Sequence, residues 1–159
     1  MEQELILVLN IHFKFMETKN VFIILFLFGI SLSHAQSIFG KWTTIDDHTG
    51  KEKSVVEIYE NNGMVYGRIV QILDKAKENK LCDKCEGANK GQPVKGMVIL
   101  QGLEKDGDTW EDGSILDPET GKIYKCHITL DNPNKLKVRG YIGFSLIGRT
   151  QYWNRVKLN

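Results

Sequence analysis

The sequence predicts an all-β protein, an eight-stranded antiparallel β-barrel, and three observations carry that prediction. Short runs rich in β-branched and aromatic residues recur through residues 39–158, with no helical periodicity longer than a turn or two between them. Tight-turn signals separate several of the runs, among them Asn61-Asn62-Gly63 and Asp106-Gly107. Asn-Gly and Asp-Gly accept the positive φ that two-residue hairpins require, so consecutive runs should form a meander. Finally, the C-terminal run is too polar and aromatic on one face for an ordinary core, and its arginines suit closure against the first strand. Eight short strands favour a closed barrel, because closure removes exposed sheet edges; a two-sheet β-sandwich is the alternative.

The expected strands are Phe39–Asp46, Ser54–Glu60, Met64–Leu73, Met97–Leu103, Thr109–Leu116, Lys122–Leu130, Lys135–Tyr141 and Leu146–Leu158. In the sixth, Tyr124, Cys126, Ile128 and Leu130 share one face while Lys125, His127 and Thr129 share the other, the alternation of a sheet wet on one side. Leu136 and Val138 stand opposite Lys135, Lys137 and Arg139 in the same way. Between the fifth and sixth runs, Asp117-Pro-Glu-Thr-Gly121 reads as a turn, with Pro118 presetting one dihedral and Gly121 free to take a left-handed one.

Residues 1–35 precede this pattern. Val21–Leu32 is an apolar run with Lys14 and Lys19 before it and the small-x-small sequence Ser33-His34-Ala35 after it. That is the pattern of a signal peptide cut after Ala35. The run is shorter than the roughly 17 residues a membrane-spanning helix needs. Glu2 and Glu4 sit where such a leader wants positive charge, so Met16 is an alternative start. A single domain, 36–159, is then expected in the periplasm or outside the cell. Gln36 rather than Cys follows the cut, so no lipid anchor is expected. A formal charge of +1 provides no basic surface for nucleic acid, and the domain is expected to be a monomer.

Asp74–Gly96 breaks the strand rhythm as a long, lysine-rich loop. It holds Cys82 and Cys85; the third cysteine is Cys126. In an oxidising compartment a Cys82–Cys85 disulfide is the first expectation, with a bond to Cys126 or a free pair as alternatives. A zinc site is not expected, because Cys126 and His127 are strand neighbours pointing to opposite faces. Nor is a redox dithiol, since no helix follows the pair to lower a thiol pKa. No cofactor is implied.

Chemistry is sparse elsewhere. Asp46-Asp47, Asp106 with Asp108, and Glu111-Asp112 all fall in or beside turns, where solvated acids are usual, so no catalytic residues are assigned. The remaining candidate is the barrel interior, which in small barrels is either filled or holds one small ligand. Tyr66, Arg68, Arg149, Gln151 and Trp153 are the candidate ligand contacts. Two inward arginines would favour a small amphipathic or anionic ligand.

Gly40-Lys41-Trp42 near the start and an Arg near the end, Arg155 first and Arg149 as the alternative, resemble the lipocalin and calycin arrangement, in which a last-strand Arg covers a first-strand Trp. Further motifs extend the likeness: Gly67-Arg68-Ile69, Lys95-Gly96-Met97, Trp110-Glu-Asp-Gly113, Asp117-Pro-Glu-Thr-Gly-Lys-Ile-Tyr124, Val138-Arg-Gly-Tyr-Ile-Gly143 and Gly148–Arg155. Together they resemble the exported bacterial family called domain of unknown function 2147. The resemblance implies a lipocalin-like barrel in a Gram-negative envelope and no established activity. A surface role in the envelope, with a side-chain-filled barrel and the Cys82–Cys85 loop as contact region, is the alternative function.

Overall fold

The computed structural model describes residues 37–143 and 146–157, so the expected leader, 1–35, lies outside the described residues. Eight strands follow one another: β1 Gly40–Ile45, β2 Glu52–Asn61, β3 Met64–Ile72, β4 Val98–Asp106, β5 Thr109–Asp117, β6 Lys122–Asn132, β7 Lys135–Tyr141 and β8 Gly148–Arg155. Each pairs antiparallel with the next, and β8 returns to β1, giving a closed barrel. Closure excludes the sandwich.

The connections alternate in kind. At one end the hairpins are tight: Asn62 and Gly63 bridge β2 and β3 with φ of 51° and 79°, the pair of positive values a type I′ turn demands. Residues 107–108 and 133–134 bridge the next two hairpins at the same end. At the other end lie the longer connections 46–51, 73–97, 118–121 and 142–147.

Period two decides what faces inward. At the tight-hairpin end, Trp42, Ile58, Leu103, Ile128 and Leu136 are all essentially inaccessible and form one cluster with Trp153. The chain before β1 seals this end, where Ile38 is fully buried and its carbonyl accepts a 2.7 Å hydrogen bond from Trp42 Nε1. Arg155 lies with its guanidinium 4.1 Å from the centre of the Trp42 ring. The same guanidinium donates to the carbonyls of Phe39, Ser37 and Pro133. Cation–π attraction in such a partly desolvated place is worth up to about 2 kcal/mol. One side chain thus ties the chain before β1, the β6–β7 turn and the β1–β8 seam together.

Candidate functional site: the hollow end of the barrel

The end with the long connections is not filled. A hollow of about 960 Å³ opens there, at the upper limit of the volumes that hold small molecules. It exists because the inward residues on this half are too small or too short to meet across the barrel. On β7, Leu136 and Val138 both belong to the buried core cluster, but only Val138, one inward position further, also lines the hollow.

Its wall has two characters. Ile69, Ile99 and Ile115, from β3, β4 and β5, make an apolar side. β8, β1 and β2, adjacent around the barrel, make the polar side with Gln151, Thr44 and Ser54. Thr44 Oγ1 and Ser54 Oγ are 2.8 Å apart and satisfy one another. Trp153 forms part of the floor and donates from Nε1 to Gln151 Oε1 at 3.4 Å.

The charged groups stay at the rim, where six carboxylates and five cationic side chains alternate. Most cations there are matched: Lys53 lies 3.0 Å and Lys80 4.0 Å from Glu119, and Lys77 lies 3.7 Å from Asp74. Asp47, from the β1–β2 connection, pairs with Arg149 and accepts a 2.6 Å hydrogen bond from Gln151 Nε2. It therefore spans the seam above Thr43 and Asn154, the last residues paired between β1 and β8. Its neighbour Asp46 shapes the turn; a hydrogen bond from the Thr49 hydroxyl, helped by the Thr49 and His48 amides, holds its carboxyl below the usual range.

The family assignment follows from comparison with known proteins. A model of an uncharacterized protein conserved in bacteria, DUF2147, matches residues 40–155. The chain belongs to this family. This DUF2147 barrel is also similar to a solved structure from Helicobacter pylori, protein HP1028, described as belonging to the lipocalin family. The two share 22% identity with a TM-score of 0.68, over 76% of this chain and 84% of that one. At that identity the likeness shows the fold alone. No curated protein matches the chain.

Of the five interior contacts expected in this DUF2147 chain, three converge: Arg149, Gln151 and Trp153 all line the hollow. Tyr66 and Arg68 do not. Val65 and Ile69 are buried inward, so alternation turns Tyr66 and Arg68 to the outer surface. There Arg68 bonds Glu57 at 3.2 Å and lies over Tyr59, which stacks on Tyr66. The expected pair of inward arginines is thus corrected: Arg68 is outside, and Arg149 is at the rim, already paired. Sequence reasoning missed Thr44, Ser54 and the reach of Asp47. A polar residue two before Val56 in a strand of inward apolar positions was the available signal for Ser54. Asp47 carried none, being 104 residues from Gln151.

The long connection of this DUF2147 member is ordered by its cysteines. Cys82 and Cys85 sulfurs lie at bonding distance, 1.96 Å, and both residues are buried. Their turn lies directly on Gly121, where a Cβ would meet the Lys84 carbonyl, and Gly121 has a φ of 75°. Only glycine fits both demands. Two single 3₁₀ turns, Lys75–Lys77 and Gly87–Asn89, and a bridge from Leu81 to Pro93 complete the segment. Cys126 is separate and buried in the core, where desolvation pushes its thiol pKa up to about 12. Among the described residues no cluster of three or more His, Cys, Asp or Glu side chains could hold a metal ion, and no helix is long and apolar enough to cross a membrane.

Proposed function

We propose that this protein is an exported, non-catalytic barrel that holds one small amphipathic molecule in its hollow end. The observation that carries the reading is the hollow itself, about 960 Å³ in a barrel whose opposite end is packed solid. A non-catalytic role is supported by the lining, which is aliphatic or neutral and polar inside, with ionisable groups confined to the rim. Export to the periplasm or beyond is supported by the leader-like pattern of residues 21–35 and by a cysteine pair at bonding distance, which suits an oxidising compartment.

Native mass spectrometry of protein purified from its own host tests this. One copurified molecule per chain, released on unfolding and held less tightly by a Val138→Phe variant, is the expected result. Mass-pure unliganded protein, with no saturable uptake of any apolar probe, would end the proposal.

A surface role has one observation in its favour. Ile142, Leu146 and Ile147, in the β7–β8 connection, are 62%, 90% and 70% exposed. If contact with a macromolecule is the function, Leu146→Ser, the one of the three outside the hollow's lining, should abolish a crosslinked partner in envelope extracts while leaving probe uptake intact. An unchanged crosslinking pattern would remove that reading.

A further inference from the structure

We propose that the hollow selects uncharged ligands, with an apolar body and a hydroxyl- or amide-bearing edge, and discriminates against carboxylates. This rests on the hollow being a ligand site and specifies its chemistry. The reason is the separation of charge from interior polarity. Every polar side chain on the β8–β1–β2 side of the interior, Gln151, Thr44, Ser54 and the Trp153 Nε1, is neutral. Gln151 and the Thr44–Ser54 pair retain capacity for a neutral partner. Gln151 Nε2 has one hydrogen committed to Asp47 and a second to offer. The Thr44–Ser54 hydroxyl pair shares one proton internally; Thr44 Oγ1 also accepts from the Ser54 amide at 3.2 Å and lies a long 3.4 Å from the Ser54 carbonyl, so the pair's remaining capacity is on Ser54 Oγ. A ligand hydroxyl or carbonyl laid against this strip keeps its apolar flank on Ile69, Ile99 and Ile115.

A carboxylate finds no such place. Inside, no cation compensates it, and an ionised group moved out of water without a partner is strongly disfavoured. At the rim, Arg149 is held by Asp47, and Lys53, Lys80 and Lys77 face Glu119 and Asp74. Lys51 stands among these groups with six carboxylates against five cations in all, so the rim field does not favour an anion.

The test is competition for an uncharged fluorescent probe, N-phenyl-1-naphthylamine, by dodecanol and dodecanoate at pH 8 and below micelle-forming concentrations. Dodecanol is expected to displace the probe at a concentration at least about tenfold lower than dodecanoate, beyond their difference in solubility. Thr44→Val combined with Ser54→Ala should narrow that ratio while the probe still binds. Gln151→Leu, nearer the rim, should narrow it too and serves if the double variant does not fold. Equal or tighter binding of dodecanoate, or a ratio unmoved by both variants, overturns the inference and leaves the ligand site standing. Failure of the probe to bind saturably overturns the ligand site as well.

Discussion

The two ends of this barrel are made from the same eight strands, yet one is solid and the other hollow. At the solid end the turns between strands are two residues long and the inward side chains are Trp42, Ile58, Leu103, Ile128 and Leu136, large enough to meet. At the hollow end the connections are longer and the inward positions carry Val138, Thr44, Ser54 and Gln151. The contrast teaches that closure and capacity are separable properties. Hydrogen-bonded strands determine the circumference, and side-chain volume together with the length of the connections decides how much of the enclosed space remains.

The sharpest way to break this comparison is to remove the plug. Trp42→Ala should destabilise the protein by about 3–5 kcal/mol in urea unfolding, since it opens a cavity where the surroundings cannot collapse and strands Arg155 without its ring. A loss below about 1 kcal/mol would mean that the solid end does not hold the barrel shut.

A matched pair on β7 sharpens the contrast within one strand. Leu136→Phe adds volume where there is none to spare and should lose about 1–3 kcal/mol. Val138→Phe adds it into the hollow and should change stability by less than about 1 kcal/mol while weakening probe uptake. Equal losses from the two would show both ends to be packed alike.

The hollow end replaces short turns with a covalent constraint. Reducing Cys82–Cys85 should lower stability by about 2 kcal/mol on chain-entropy grounds and speed proteolysis within residues 74–96, because the turn that rests on Gly121 is released. Cleavage at an unchanged rate under reducing conditions would count against that role.

The smallest effect lies between the two ends, at Cys126. Burial raises its folded pKa from 9.0 to about 12, so the unfolded chain ionises first. Stability from the neutral thiol is fully present below pH 9 and is lost as pH rises toward 12. At pH 10 the loss amounts to about 1.4 kcal/mol, which Cys126→Ala should not show. A wild-type alkaline profile identical to that of Cys126→Ala would place the thiol in water.

Much of the fold was legible because its determinants are local. Asn62-Gly63 and Asp117–Gly121 announce turns by the dihedrals they tolerate, and period two marks Cys126, Ile128, Leu136 and Val138 as inward. The contact between Trp42 and Arg155 could be anticipated because an indole at one end of a barrel sequence and a guanidinium at the other have an obvious way to meet. The site was harder. Arg68 was misassigned for want of weighing Val65 and Ile69 beside it, which claim the interior and turn it outward. The hollow has no linear signature, since whether Val138 meets anything depends on the lengths of side chains on strands across the barrel.

Ligand binding requires a hollow of single-ligand size in solution. Its most direct test is the stoichiometry of an uncharged apolar fluorophore bound to wild type and to Val138→Phe, followed through Trp153, which forms part of the floor. The prediction is one saturable site per chain with Trp153 quenched, weakened in Val138→Phe while the circular dichroism stays the same. Non-saturating binding in the wild type, or an undiminished site in the variant, would contradict it.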